Sequence, residues 1–256
     1  MDNHDEARMG FLDHLEELRS RLIRAVIAIL IGFSVCMYFS EDVIRLLSKP
    51  LTKLLPQGSG ALIFTGLPDP FFMYIKVSFI CSFFITLPFV LHQIWMFVKP
   101  GLYPHERRLS APFISFATLL FYAGAAFCYS IVLPAAFQFF LSFESPELKP
   151  MIAIKEYVSL IMVLMLAFGL VFETPIVIVF LGLLGVFDTA QLKKGRRYFI
   201  VLAFVIGAIL TPTPDPLNQS LMAVPMILLY EVGIWVLRLF EKRRAKQEAA
   251  EAAEDA

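Results

Sequence analysis

The residues of this chain that could do chemistry are mostly carboxylates in places carboxylates avoid. Glu173 interrupts the stretch VLMLAFGLVFETPIVIVF after sixteen consecutive uncharged residues, 157–172. Insertion scales put a charged side chain at the centre of a membrane helix at a cost of about 2.5–3.5 kcal/mol. A glutamate at that depth therefore needs a proton, a hydrogen-bonding partner or a hydrated cavity, and its default reading is functional. Two residues on, Pro175 has no N–H for the carbonyl of Val171, so the helix is expected to bend there. Gln138, and Gln93 beside His92 near a span end, are the other polar groups at membrane depth, while Glu231 lies close enough to a charged end to matter less. Outside the apolar blocks stand Glu17 in HLEELRSRL and Glu106 in YPHERR. Glu17 can pair with Arg21 at i,i+4, and Glu106 beside His105, Arg107 and Arg108 can be an ordinary solvated cluster. Neither local reading excludes a further role, since carboxylates also capture cationic peptides through charge-assisted hydrogen bonds.

Conventional catalytic patterns are absent. The sequence holds no zinc-ligand spacing, nucleophile elbow, Walker glycine loop or paired metalloprotease histidines. Its four histidines are scattered, and Cys36, Cys81 and Cys128 all fall inside apolar blocks, where they read as small hydrophobes. An enzyme is not expected. Two classes of function remain on these facts: a proton-coupled secondary transporter of small solutes using Glu173, or a receptor that docks a membrane helix at Glu173 and a cationic peptide at its polar carboxylates.

The elements that must position these groups follow from composition. Of 256 residues 58% are hydrophobic and 17% charged, with a mean hydropathy of +0.72. A typical soluble domain is roughly 25% charged, so this is membrane composition. The charge-poor blocks are 25–40, 77–98, 109–143, 157–187, 198–214 and 217–237, which predicts six transmembrane helices in an all-α polytopic protein. The fifth is the weakest: its dense apolar part, YFIVLAFVIGAIL, covers only about 20 Å. Sixteen of the 22 Lys and Arg residues fall on one side if both termini are cytoplasmic, the arrangement the positive-inside rule favours. The expected organisation is a cytoplasmic amphipathic helix over 1–24, a six-span membrane domain over 25–237, and a basic then acidic cytoplasmic tail over 238–256. The amphipathic helix, with Phe11, Leu15, Leu18 and Leu22 on one face, is expected to run on into the first span. In the first outer loop 42–55 is expected to be a short helix. The second inner loop, GVFDTAQLKKGRRYF, suggests a helix started by Asp188 or Thr189.

In order along the chain, HLEELRSRL, FVKPGLYPHERR, LLFYAGAAFCYSIVLPAAFQF, MLAFGLVFETPIVI, LKKGRRY and ILTPTPDPLNQSLMAVPMILLYEVG resemble the TatC family, the polytopic receptor subunit of the twin-arginine protein translocase. The resemblance implies a cupped architecture of six spans in the cytoplasmic membrane and transport of folded proteins driven by the protonmotive force. It implies no cofactor and no nucleic-acid partner. The implied partners are precursors with twin-arginine signal peptides, TatA-like and TatB-like single-span proteins, membrane lipid, and other copies of the chain in a receptor complex. Matched residue by residue, it assigns signal-peptide binding to Glu17, Phe97 and Glu106, with Arg19, His105, Arg107 and Arg108 shaping the site. Glu173 matches the family's intramembrane glutamate that meets partner helices, with Gln138 a further membrane polar site. Asp215 matches the carboxylate of the outer turn before the last span, in TPTPDP where TPPD is commoner. Pro50 and Pro88 match positions that set loop and helix geometry.

Overall fold

A computed structural model describes residues 11–52, 63–99, 110–143, 145, 151–210 and 216–254. Among these, helix accounts for nearly everything. α1 (Phe11–Tyr38) begins at the amphipathic segment and continues through the first apolar block without a break, as expected. α2 (Ser40–Thr52) is a short helix directly after α1, where one was expected; Glu41 and Asp42 in its first turn and Lys49 in its last complement the helix dipole. α3 (Asp69–Val98) opens with proline in its first turn and contains Pro88. Pro50 falls in the last turn of α2.

α4 (Ser110–Phe127) joins α5 (Leu133–Leu141) through one π-helical turn, Cys128–Val132. Pro134 explains the widened turn. In a regular helix its ring would strike the carbonyl of Ser130, and an extra residue in the turn relieves the collision. α6 (Ile154–Phe172) and α7 (Thr174–Leu183) are the two halves of the block that Glu173 interrupts. α8 (Thr189–Leu210) starts at a capping box: Asp188 Oδ1 accepts the Gln191 N–H at 2.6 Å and Gln191 Oε1 accepts the Asp188 N–H at 3.0 Å. Of the two starts the sequence allows, Asp188 is therefore the cap. Between α7 and α8, Gly185 takes φ +72°, and the bonds Val186 N–H to Leu181 O and Gly185 N–H to Gly182 O close a Schellman motif. α9 (Pro216–Glu254) carries the last apolar block and continues as helix into the tail.

Among the described residues five helical stretches are long and apolar enough to cross a membrane: Asp13–Tyr38, Asp69–Val98, Pro112–Leu141, Ile154–Leu183 and Gln219–Arg243. The sixth expected span, α8, is not among them. Its first turns carry Lys193, Lys194, Arg196 and Arg197, which leaves too short an apolar remainder. Across the molecule large apolar side chains such as Leu30, Ile31, Ile85, Leu119 and Ile209 point outward. Lipid covers such a surface at no cost, whereas water would not tolerate it.

The chain divides into two compact units, Met1–Leu47 with Phe64–Thr118, and Ser48–Ile63 with Leu119–Ala256. In the first, α1 and α3 are antiparallel. Gly32 packs against Ser82 and Thr86, Ser78 Oγ lies 3.4 Å from Met37 Sδ, and His14 stacks on Phe97. Small and hydroxyl residues at this seam allow the close approach on which helix association in lipid depends. In the second, α4 and α5 run antiparallel to α6. A Cβ added at Gly124 would stand 2.5 Å from the carbonyl oxygen of Phe168, and one at Gly169 would stand 2.6 Å from the Phe121 ring. At Gly124 the obstacle is backbone, which leaves no room for a larger residue, while at Gly169 the Phe121 ring would have to shift. α7 lies parallel to α9, with Gly182 against Leu237 and Gly233 against Ile178 and Pro175. α8 lies antiparallel to α9, through a core of Ala203, Ala223 and Met226. A two-sided clasp, Ile63 N–H to Ile152 O and Ile154 N–H to Ile63 O, ties the segment before α3 to the segment before α6.

Candidate functional site

Glu17 sits on the amphipathic part of α1, where its side chain can reach Arg21 one turn on. Its Oε1 accepts hydrogen bonds from Arg21 Nε at 2.8 Å and Nη2 at 2.5 Å. His14, one turn earlier, places Nδ1 4.0 Å from Glu17 Oε2. The His14 ring in turn lies nearly parallel to Phe97, 13° off, with centroids 4.3 Å apart. Antiparallel packing of α1 and α3 therefore brings Glu17 and Phe97, eighty positions apart, to one end of the helix pair with His14 between them. His14 was not singled out from the sequence. Its signal was present in its i,i+3 spacing to Glu17, but stacking on Phe97 is a tertiary event.

Arg19 is exposed and stands about 200° round α1 from Glu17 at 100° per residue. Gln93, one turn before Phe97 on the α1-facing stripe of α3, is buried, and its Oε1 has no hydrogen-bond partner. His105, Glu106, Arg107, Arg108 and Asp215 lie outside the described residues.

Glu173 caps α6 and starts α7. Its backbone N–H turns back to the carbonyls of Leu170 and Val171, and its own carbonyl accepts the Val177 N–H at 2.9 Å. The Val171 carbonyl that Pro175 cannot serve is taken by the hydroxyl of Thr174 at 2.5 Å. ThrPro after the glutamate is thus a self-satisfied break: the proline removes a donor and the threonine supplies one. The side chain differs, for Glu173 Oε1 is buried and no hydrogen-bond partner reaches it. A buried carboxyl oxygen without a partner is costly.

Gln138 does not share this site. It is exposed on α5, and the Phe137–Tyr157 ring contact at 5.2 Å places it level with the start of α6. Sixteen residues of α6 then separate that level from Glu173, about 24 Å along the axis. Glu231 is accounted for locally: its Oε2 accepts Arg196 Nη2 at 2.6 Å, across the α8–α9 seam where Tyr230 OH also donates to Leu192 O at 2.8 Å. Among the described residues no group of three or more His, Cys, Asp or Glu could hold a metal ion.

The geometry therefore offers a guanidinium-binding carboxylate beside an aromatic wall, and separately an unsatisfied carboxyl group in a broken membrane helix. The family model for the Sec-independent protein translocase protein TatC matches residues 13–225. The chain belongs to the TatC family. A TatC from Magnetococcus marinus is 44% identical over 250 residues, covering 97% of this chain and 91% of the relative. One from Azotobacter chroococcum is 44% identical over 227 residues, covering 89% and 88%. A crystal structure of the twin-arginine translocase receptor TatC superposes with a TM-score of 0.77 at 43% identity, covering 88% of this chain and 98% of that one. The all-α polytopic fold is thus the TatC fold, and the chain is a multi-pass inner-membrane protein with a receptor's role in protein transport, not an enzyme's.

Proposed function

We propose that this chain performs its family's function through two separate polar sites. That function is twin-arginine signal-peptide receptor and core subunit of a protonmotive-force-driven translocase of folded proteins. The first site is formed by Glu17 and Phe97, with Glu106, nine positions after Phe97 in sequence, as its second carboxylate. The observation that carries it is the Glu17 carboxylate, already at charge-assisted hydrogen-bond distance from a guanidinium and adjoining the stacked His14–Phe97 pair. Arginine suits such a site better than lysine because its planar fork meets both carboxylate oxygens and its face lies on aromatic rings. The test is photocrosslinking to a twin-arginine precursor from exposed positions 13 and 18 beside Glu17, which leave both carboxylates intact, with a twin-lysine precursor as control. Adducts with the first and not the second are expected; equal adducts, or none, overturn the assignment.

The second site is Glu173, the docking point for the transmembrane helix of a TatA-like or TatB-like partner. Its buried, unpartnered Oε1 supports this reading, because a hydroxyl or amide on an arriving helix would supply the missing hydrogen bond. Several copies of the chain with such partners would form the receptor complex.

Both termini are placed in the cytoplasm and α8 is taken as a sixth, short span. Support comes from the direction of the helices: α7 and α9 are parallel, so the chain must recross the same thickness between them, and α8 runs antiparallel beside α9. Gln219 Nε2 donates to Phe204 O at one end of the hairpin, and Thr189 meets Glu241 at the other. A membrane locally thinned beside α8 accommodates its short apolar part.

A further inference from the structure

The carboxylate of Glu17 is not open. Arg21 donates twice to Oε1, and the two side chains are only 21% and 16% exposed, Glu17 and Arg21 respectively. Among the described residues the ion-pair neighbour of Oε2 is His14 Nδ1, at 4.0 Å. A guanidinium arriving from solution binds a carboxylate best as a fork on both oxygens. It cannot do so while Arg21 holds one of them. We propose that Arg21 is a built-in occupant of the twin-arginine site: its guanidinium engages Glu17 in the empty receptor and is displaced when the signal's arginine arrives. Binding is then an exchange of one guanidinium for another, and the receptor's affinity is reduced by the fraction of time Arg21 holds the carboxylate. The proposal rests on the reading of Glu17 as a signal-peptide residue.

Exchange has a signature that support of the helix lacks. If Arg21 only braced α1 or oriented Glu17, its removal would weaken binding of every precursor. If it competes, removal tightens binding. A general electrostatic effect of one fewer positive charge would also tighten binding, but it would be absent from Arg21→Lys, which keeps the charge and loses the fork.

The experiment measures the dissociation constant of a synthetic twin-arginine signal peptide on inner-membrane vesicles carrying the full chain at matched abundance. The variants are Arg21→Gln, Arg21→Lys, Glu17→Gln and the double variant Glu17→Gln/Arg21→Gln, with Arg24→Gln as a neighbouring charge control. Arg21→Gln is expected to tighten binding about three- to tenfold, the range between an exposed helical ion pair and a covered charge-assisted one. Arg21→Lys should fall between wild type and Arg21→Gln, and Arg24→Gln should stay near wild type. In the Glu17→Gln background the Arg21 substitution should have no effect, since the competed group is gone. Unchanged or weaker binding by Arg21→Gln, with Glu17→Gln still impaired, overturns the exchange and leaves the site standing. Wild-type binding by Glu17→Gln overturns the site itself, and the exchange with it.

Discussion

At the scale of single residues, the two carboxylates make opposite bargains. Glu17 gives one oxygen to Arg21 and sits at a helix-pair end beside stacked rings, the setting proposed for capture of a guanidinium. Neutralising both Glu17 and Glu106 to Gln is expected to abolish specific binding of a twin-arginine precursor to vesicles, with each single change weakening it by tenfold or more, the size of one lost charge-assisted contact at about 1.5–3 kcal/mol. Normal binding by the double variant at normal abundance would remove the site from these residues. Glu173 instead keeps an oxygen buried with nothing to meet it. Glu173→Ala is expected to reduce crosslinking to a TatA-like or TatB-like helix and to lower export while leaving signal-peptide binding intact. Glu173→Gln should be milder, because an amide still offers hydrogen bonds. Should both variants crosslink normally and lose export equally, the residue is a proton relay and not a docking point.

At the scale of elements, most boundaries follow from local chemistry and can be read directly. The α6–α7 break is dictated by Pro175 and repaired by Thr174; the α8 start is dictated by Asp188 and Gln191. The π-helical turn before Pro134 was less legible, since a proline in a helix can kink, end or widen it, and packing chooses among these. Packing at the α4–α6 crossing rests on Gly124 and Gly169, through which Phe127 lies against Phe168 and Phe172 at 5.9 and 5.7 Å. Gly124→Ala forces a methyl group against the Phe168 backbone, which cannot yield as a flexible side chain would. We expect a loss of about 1–3 kcal/mol, measured as a lower midpoint of thermal unfolding in detergent. Gly195→Ala, whose Cβ would meet only Tyr230 Oη at 3.4 Å, should leave the midpoint unchanged. Equal effects of the two would show that the crossing is not tight.

At the scale of the whole molecule, the proposed orientation rests on where the basic residues fall and on the alternating directions of α7, α8 and α9. Cysteines replacing Ser145 and Asn218 are expected to react with a membrane-impermeant thiol reagent from outside, and one replacing Ala249 to be protected until the membrane is opened. Protection at 218 with reaction at 249 would show that α8 does not cross and that the tail lies outside. The two readings differ by one span and so by the side on which every later segment stands.

What the sequence determined by itself was the membrane class, most of the helices, and the break in the helix at Glu173, because each depends on quantities summed along the chain or acting within one turn: apolar length, proline's missing donor, the cost of a charge in hydrocarbon. It also showed the i,i+4 option of Glu17 with Arg21, though not whether it was taken. Tertiary structure alone decided which distant groups meet. It put His14 between Glu17 and Phe97, paired Glu231 with Arg196, and set Gln138 about 24 Å from the Glu173 level along α6. It also gave α8 a place beside α9 that its own short apolar stretch could not claim. The physical reason is common to all four: which face a helix turns to its neighbour is settled by close packing across the seam, through residues such as Gly32, Gly124 and Gly182, and no periodicity within one helix specifies the partner.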